Sequence, residues 1–161
     1  MKNVIFFITV LLNALSTGFF FAWSVSVILG TKKVSDFTYL ETMQNINREI
    51  LNPVFFIIFF GSLTTLLITT YLQFNNKPVF WLVLASTIIY LIGTFGITAF
   101  GNVPLNNELD LLNITKLSLL ELKSFRTYYE STWNQYHNIR TISGMISFTL
   151  LLISIFIQKT F

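Results

Sequence analysis

Cysteine is absent from this 161-residue chain, histidine occurs once, and acidic residues number only seven. Without thiols there is no disulfide, no sulfur nucleophile and no iron–sulfur cluster, and a lone histidine offers too few donors for a zinc or di-haem site. No carboxylate falls within an apolar run, which argues against a proton-coupled exporter, a class that generally needs an intramembrane acid. The net charge of +3 is spread thinly, with no basic run interleaved with aromatics, so nucleic acid is not an expected partner. Only 11% of residues are charged, whereas 53% are hydrophobic and 17% aromatic, and the mean hydropathy is +0.68. That composition belongs to a chain whose partner is the lipid bilayer.

Four apolar segments, about residues 4–29, 53–74, 79–100 and 139–157, carry a single charge, Arg140 at the mouth of the last. Each is long enough to cross a hydrocarbon core of about 30 Å as a helix rising about 1.5 Å per residue. Lys2 and the Ala14-Leu15-Ser16 step imitate a secretory signal, but apolar character continues to Leu29, so an uncleaved first helix is expected. Backbone amides in lipid must be satisfied within the segment, and four spans are too few for a closed barrel. The expected fold is all-α: one integral membrane four-helix bundle, residues 1–161, with extra short amphipathic helices in the first and third connections on one side.

The connections are unequal. Asn75 to Pro78 makes a tight turn, while residues 30–52 and 101–138 are long enough for helices of their own. In the first, Ser35 is placed to cap a helix with Met43, Ile46 and Ile50 on one stripe, and Asn52-Pro53 reads as the cap of the second span. In the second, Pro104 is expected to stop span three and Asn106 to start a new helix. Thr127 and Glu130 match a capping box from which the last helix would begin.

With four spans, both long connections lie on the same side, which collects Trp23, Arg48, Asn52, Asn102, Asn106, Trp133, His137 and Arg140. Trp133, His137 and Arg140 share one helical face at i, i+4 and i+7. Such a face should point into the bundle, because a charge facing lipid costs a few kcal/mol. Snorkelling of Arg140, with Trp133 and His137 merely interfacial, is the competing reading. Asn102 and Asn106 serve as helix caps or as amides aimed into a cavity. Arg48 either pairs with a carboxylate such as Glu41 or Asp36, or meets a ligand. Within the spans, Asn13, Ser16, Thr17, Thr64, Thr65, Thr69 and Thr70 are expected to bond across helices or back to their own carbonyls.

The run "WNQYHNIR" at the last span, "NVPLN" after the third and "NINREILNP" before the second resemble the anthrone oxygenase-like family of small four-helix membrane proteins, over nearly the whole chain. The resemblance implies oxidation of an anthrone to an anthraquinone by molecular oxygen, with no metal, flavin or other cofactor, on a hydrophobic aromatic small molecule. Its bacterial members imply the inner (cytoplasmic) membrane. His137, the sole side chain with a reference pKa near neutrality, would be the base. Arg140 would hold the developing oxyanion, with Asn102, Asn106 and the Trp133 indole as further donors and Trp23, Arg48 and Asn52 closing the site. The rival is a non-enzymatic membrane protein that binds a lipid or quinone, or an accessory subunit.

Overall fold

A computed structural model describes residues 2–158; the ends of the expected domain, Met1 and residues 159–161, lie outside them. The described chain is built of helices, α1 (Lys2–Thr31), α2 (Asp36–Glu49), α3 (Pro53–Leu72), α4 (Lys77–Leu111) and α5 (Leu119–Gln158), with no strand among those residues. Of these, α1, α3, α4 and α5 are long and apolar enough to cross a membrane. The four pack as a bundle, and α2 lies beside the ends of α4 and α5 on the elaborated side. At about 1.5 Å per residue, the 40 residues of α5 cover twice the roughly 30 Å hydrocarbon core. Its first half therefore belongs to a cap above the bilayer.

Local chemistry sets the expected starts of α2 and α3. Ser35 Oγ accepts from Thr38 N–H at 3.2 Å, and Asn52 Oδ1 accepts from Phe55 N–H at 3.0 Å with Pro53 at the first helical position. Two expected boundaries are corrected. α4 does not stop at Pro104 but runs on to Leu111, so Asn106 is no cap. Directly before the proline, Thr98–Asn102 forms a π turn, with Val103 N–H bonded to Thr98 C=O. That turn shifts the carbonyl register by one residue, and the proline's missing N–H falls at the seam. The third connection is helical as expected, but as continuations of its neighbours joined by a short 3₁₀ turn at Ile114–Lys116. Likewise α5 starts before Thr127. Its capping box is Ser118 and Glu121, the Glu121 carboxylate accepting from Ser118 N–H at 2.8 Å. Glu130, expected as a cap partner, instead accepts from Arg126 Nε at 3.0 Å.

Between the spans, polar side chains do what lipid requires of them and bond helix to helix. Thr9 meets Thr69 at 2.7 Å, Ser16 meets the Tyr90 hydroxyl at 2.7 Å, Thr17 donates to Gly144 C=O at 3.1 Å, and Asn13 donates to Ser147 at 3.3 Å. Thr65 and Thr70 bond back to the carbonyls of Gly61 and Leu66. Small residues let α4 and α5 touch: a Cβ added to Gly93 would lie 2.5 Å from Ser143 Cβ. Gly93→Ala should therefore destabilise the bundle by about 1–3 kcal/mol through overpacking. Gly18→Ala, with nothing within 4 Å of the added Cβ, should not. Thermal unfolding of both variants in detergent checks the contrast.

On the elaborated side the cap has its own core, in which Leu40, Met43, Leu105, Leu109, Leu122 and Tyr129 are buried together. Gln44 Nε2 donates to the carbonyls of Leu109 and Leu112 at 2.8 and 3.0 Å, which closes the end of α4. Arg126 ties three pieces together. Its guanidinium donates to Val34 C=O at 2.7 Å and Asp36 at 3.0 Å, reaches Thr31 C=O at 3.3 Å, and lies 4.6 Å over the Tyr39 ring. The end of α1 and the start of α2 are thereby pinned to α5.

Candidate functional site

Arg140 stands where the cap meets the bundle. It is only 7% exposed, and its guanidinium lies between two aromatic faces, 4.5 Å from the Phe20 ring and 4.9 Å from Trp133. The ion pairs of the described residues join Arg48 to Asp110 and Arg126 to Asp36 and Glu130; none includes Arg140. A buried cation held by cation–π contacts and neutral acceptors is expensive unless something anionic joins it.

The neutral acceptor is His137. Arg140 Nε and Nη2 donate to its Nδ1 at 3.2 and 3.0 Å. Arginine is donor-only, so Nδ1 must present its lone pair and the ring proton sits on Nε2. Nε2 then donates to Ser24 Oγ at 2.8 Å, and Ser24 in turn donates to Phe20 C=O at 3.2 Å. Thr141 Oγ1 stands 3.3 Å from the same nitrogen while donating to the His137 carbonyl. Trp133 stacks on the imidazole at 5.1 Å and 8°. Every polar atom of His137 is engaged, and the side chain is fully buried.

Asn106 is oriented by a second network. The Trp133 indole, which can only donate, gives its proton to Asn106 Oδ1 at 2.8 Å, and the Tyr129 hydroxyl donates to the same oxygen at 3.2 Å. Tyr129 accepts in turn from Asn47 Nδ2 at 3.1 Å. With its oxygen doubly held, Asn106 has Nδ2 left as a donor.

These groups wall a cavity of about 110 Å³ lined by Trp23, Asn47, Thr98, Asn106, Trp133 and Arg140 among apolar side chains that include Phe19, Phe20 and Phe55. Among the described residues Arg140 Nη1 makes one hydrogen bond, donating to Thr98 Oγ1 at 3.5 Å. Among the described residues no three His, Asp or Glu side chains stand together as a metal site would need.

The expected site residues divide. Trp133, Arg140, Asn106 and Trp23 converge on the cavity, with the Trp23 and Trp133 rings 5.7 Å apart. His137 lies behind Arg140 rather than on the wall. Asn102 also stands back: its Nδ2 donates to Trp133 C=O at 3.1 Å, and its buried Oδ1 has no hydrogen-bond partner among the described residues. Arg48 points elsewhere, to Asp110 at 2.6 Å on the surface. Asn52 is spent on capping α3, and its Nδ2 donates to Glu49 C=O at 2.8 Å. Ser24 and Phe20 are not among the site residues expected from sequence, although Asn13, Ser16, Thr17, Phe20 and Ser24 recur with helical period along α1. That repeat marks one interior face.

No curated protein and no solved structure matches the chain. The family model described as anthrone oxygenase matches residues 53–150, a stretch that takes in α3, α4 and most of α5. It therefore contains Asn106, Trp133, His137 and Arg140, while Phe20, Trp23, Ser24 and Asn47 come from the part before it. With well over half its length matched, including the guanidinium, the indole and the amide that meet in the cavity, the chain belongs to the anthrone oxygenase family.

Proposed function

We propose that this multi-pass membrane protein is a cofactor-independent oxygenase of a bacterial inner membrane, oxidising a lipophilic polycyclic phenol or anthrone with molecular oxygen. One observation carries the reading: a buried guanidinium with no carboxylate partner among the described residues faces an aromatic-walled cavity. An anthrone that loses its benzylic proton becomes an extended phenolate-like anion, and its oxygen is the group Arg140 Nη1 and Asn106 Nδ2 would hold.

Among the described residues the cavity wall offers tryptophan, asparagine, threonine and arginine but no carboxylate and no histidine. The substrate is therefore ionised by the field of Arg140 rather than by a side-chain base, and the proton leaves to solvent. The anion transfers one electron to oxygen, the resulting radical and superoxide recombine as a carbon-bound peroxide, and protonation with loss of water yields the quinone. One anthrone and one oxygen molecule give one anthraquinone and one water. The protein supplies an anion site and a site of low polarity; the reactivity is the substrate's.

The same base-free wall also suits a binder that holds an acidic lipid or a quinone-derived anion without turnover. Oxygen uptake separates the two. Detergent-purified protein with an anthrone and a chelator should consume one oxygen per anthrone well above the protein-free rate. Ligand binding with uptake at the protein-free rate would leave the binder.

A further inference from the structure

We propose that the Arg140 cavity is loaded from the bilayer, through a slot between α1 and α3 beneath the C-terminal end of α2, and that what passes is a planar, lipid-dissolved weak acid in its neutral form. This rests on the reading of Arg140 as the ligand contact, and does not require turnover.

The slot is a string of adjoining spaces. Behind the Arg140 cavity lie a second of about 140 Å³ and a third of about 320 Å³. Phe19 and Ile50 line all three, so two apolar side chains separate the cavity from the outer spaces. Phe55 bounds the first two and Val54 the second, and Val54 is 68% exposed and Phe19 40% on the face a bilayer would cover.

How α1 and α3 are joined changes along their length. In the lower half they are fastened, with Thr9 and Thr69 at 2.7 Å and Gly61 leaving Leu12 just enough room, 3.1 Å from an added Cβ. At the level of the slot, no hydrogen bond joins α1 to α3 among the described residues, and the helices meet through ring contacts such as Phe19 and Phe55 at 5.8 Å. Rings can swing on their rotamers without breaking backbone or polar contacts. Above, the cavity is bounded by Ile46, Asn47 and Leu51 at and just past the end of α2 and by Val103 and Asn107 of α4, backed by the packed cap core of Leu40, Met43, Leu105 and Leu109.

The chemistry of the two ends names the passenger. The second space is walled mainly by Phe19, Ile50, Val54, Phe55 and Ile58 with Ser16 and Asn52, and the third adds Asn45 and the Glu49 carboxylate but, among the described residues, no cation. The group crossing must therefore be uncharged, because an anion would find no positive partner on the way and would pass apolar walls at a large cost. The inner end is a cation flanked by two rings, so the group that stays must become an anion and present an aromatic face. A phenol meets both conditions.

The chain has no cysteine and three tryptophans, which makes the test clean. With Trp81→Phe, only Trp23 and Trp133 remain, both on the cavity wall. In phosphatidylcholine vesicles this protein should be quenched saturably by 2,4,6-tribromophenol, at a rate that follows the probe's mole fraction in lipid rather than its aqueous concentration. Val54→Cys capped with N-cyclohexylmaleimide should slow the approach at least tenfold with the plateau retained, and Phe19→Ala should speed it severalfold. Saturable quenching whose rate ignores both variants and the lipid fraction would overturn the slot while leaving the anion site standing. Absence of saturable quenching, or its survival in Arg140→Gln, would overturn the anion site and the slot with it.

Discussion

Arg140→Gln should lower kcat/KM for an anthrone by about 10²–10³-fold, the usual effect of deleting a principal oxyanion donor, without loosening the bundle. The two halves of that expectation come from the same geometry. In the free protein the guanidinium is buried between Phe20 and Trp133 and bonded to the neutral His137 ring. A lone charge at membrane depth costs about 2.5–3.5 kcal/mol on insertion scales, and these neutral contacts offset only part of it. Removing the charge therefore relieves the empty protein and deprives the anion. Thermal unfolding of Arg140→Gln in detergent should begin no lower than in the unsubstituted protein, and a phenolic ligand should raise the unfolding temperature of the latter alone. Loss of fold in Arg140→Gln would recast the residue as a structural pin.

His137→Ala should cost about 10²-fold in turnover, as misplacement of a catalytic group commonly does, while His137→Gln keeps activity within about tenfold because an amide oxygen can still accept from Arg140. The sequence reading makes His137 the base; from its hydrogen bonds we propose a positioning residue instead. Its Nδ1 lone pair is taken by two donors of Arg140, and its Nε2 proton by Ser24. The pH–rate profile distinguishes the roles. If His137 orients Arg140, His137→Gln retains the profile of the unsubstituted protein at lower amplitude. If His137 removes the proton, both variants fall together and a limb of the profile disappears with them.

Hydropathy was sufficient for the four spans, and short-range chemistry for the caps at Ser35 and Asn52, because both depend on neighbours in sequence. The shared face of Trp133, His137 and Arg140 was readable for the same reason, since α5 is unbroken α-helix through it. What escaped depends on packing. Ser118-x-x-Glu121 and Thr127-x-x-Glu130 match one pattern, and the first prevails in a chain whose following turn can bury Leu122 in the cap core. Asn102 and Asn106 are equivalent by composition. Their different tasks follow from a π turn in front of Pro104, which carries no residue signature and rotates everything after it. Arg48 was open between carboxylate and ligand until Asp110, distant in sequence, came within 2.6 Å.

The underwound turns fall at Trp23–Val27 in α1 and at Tyr90–Gly96 and Thr98–Asn102 in α4, whereas α3 and α5 have none. Two helices of the bundle are thus stiff struts and two contain springs, since a π turn rewinding to α lengthens its helix. α3, with 20 residues, is about 30 Å long and matches an ordinary hydrocarbon core without slack. A thicker membrane would pull on the springs first, and Phe20, Thr98 and Arg140 are anchored at or beside them. If Arg140 holds a ligand as proposed, its affinity should then vary with the acyl-chain length of the lipids around the protein.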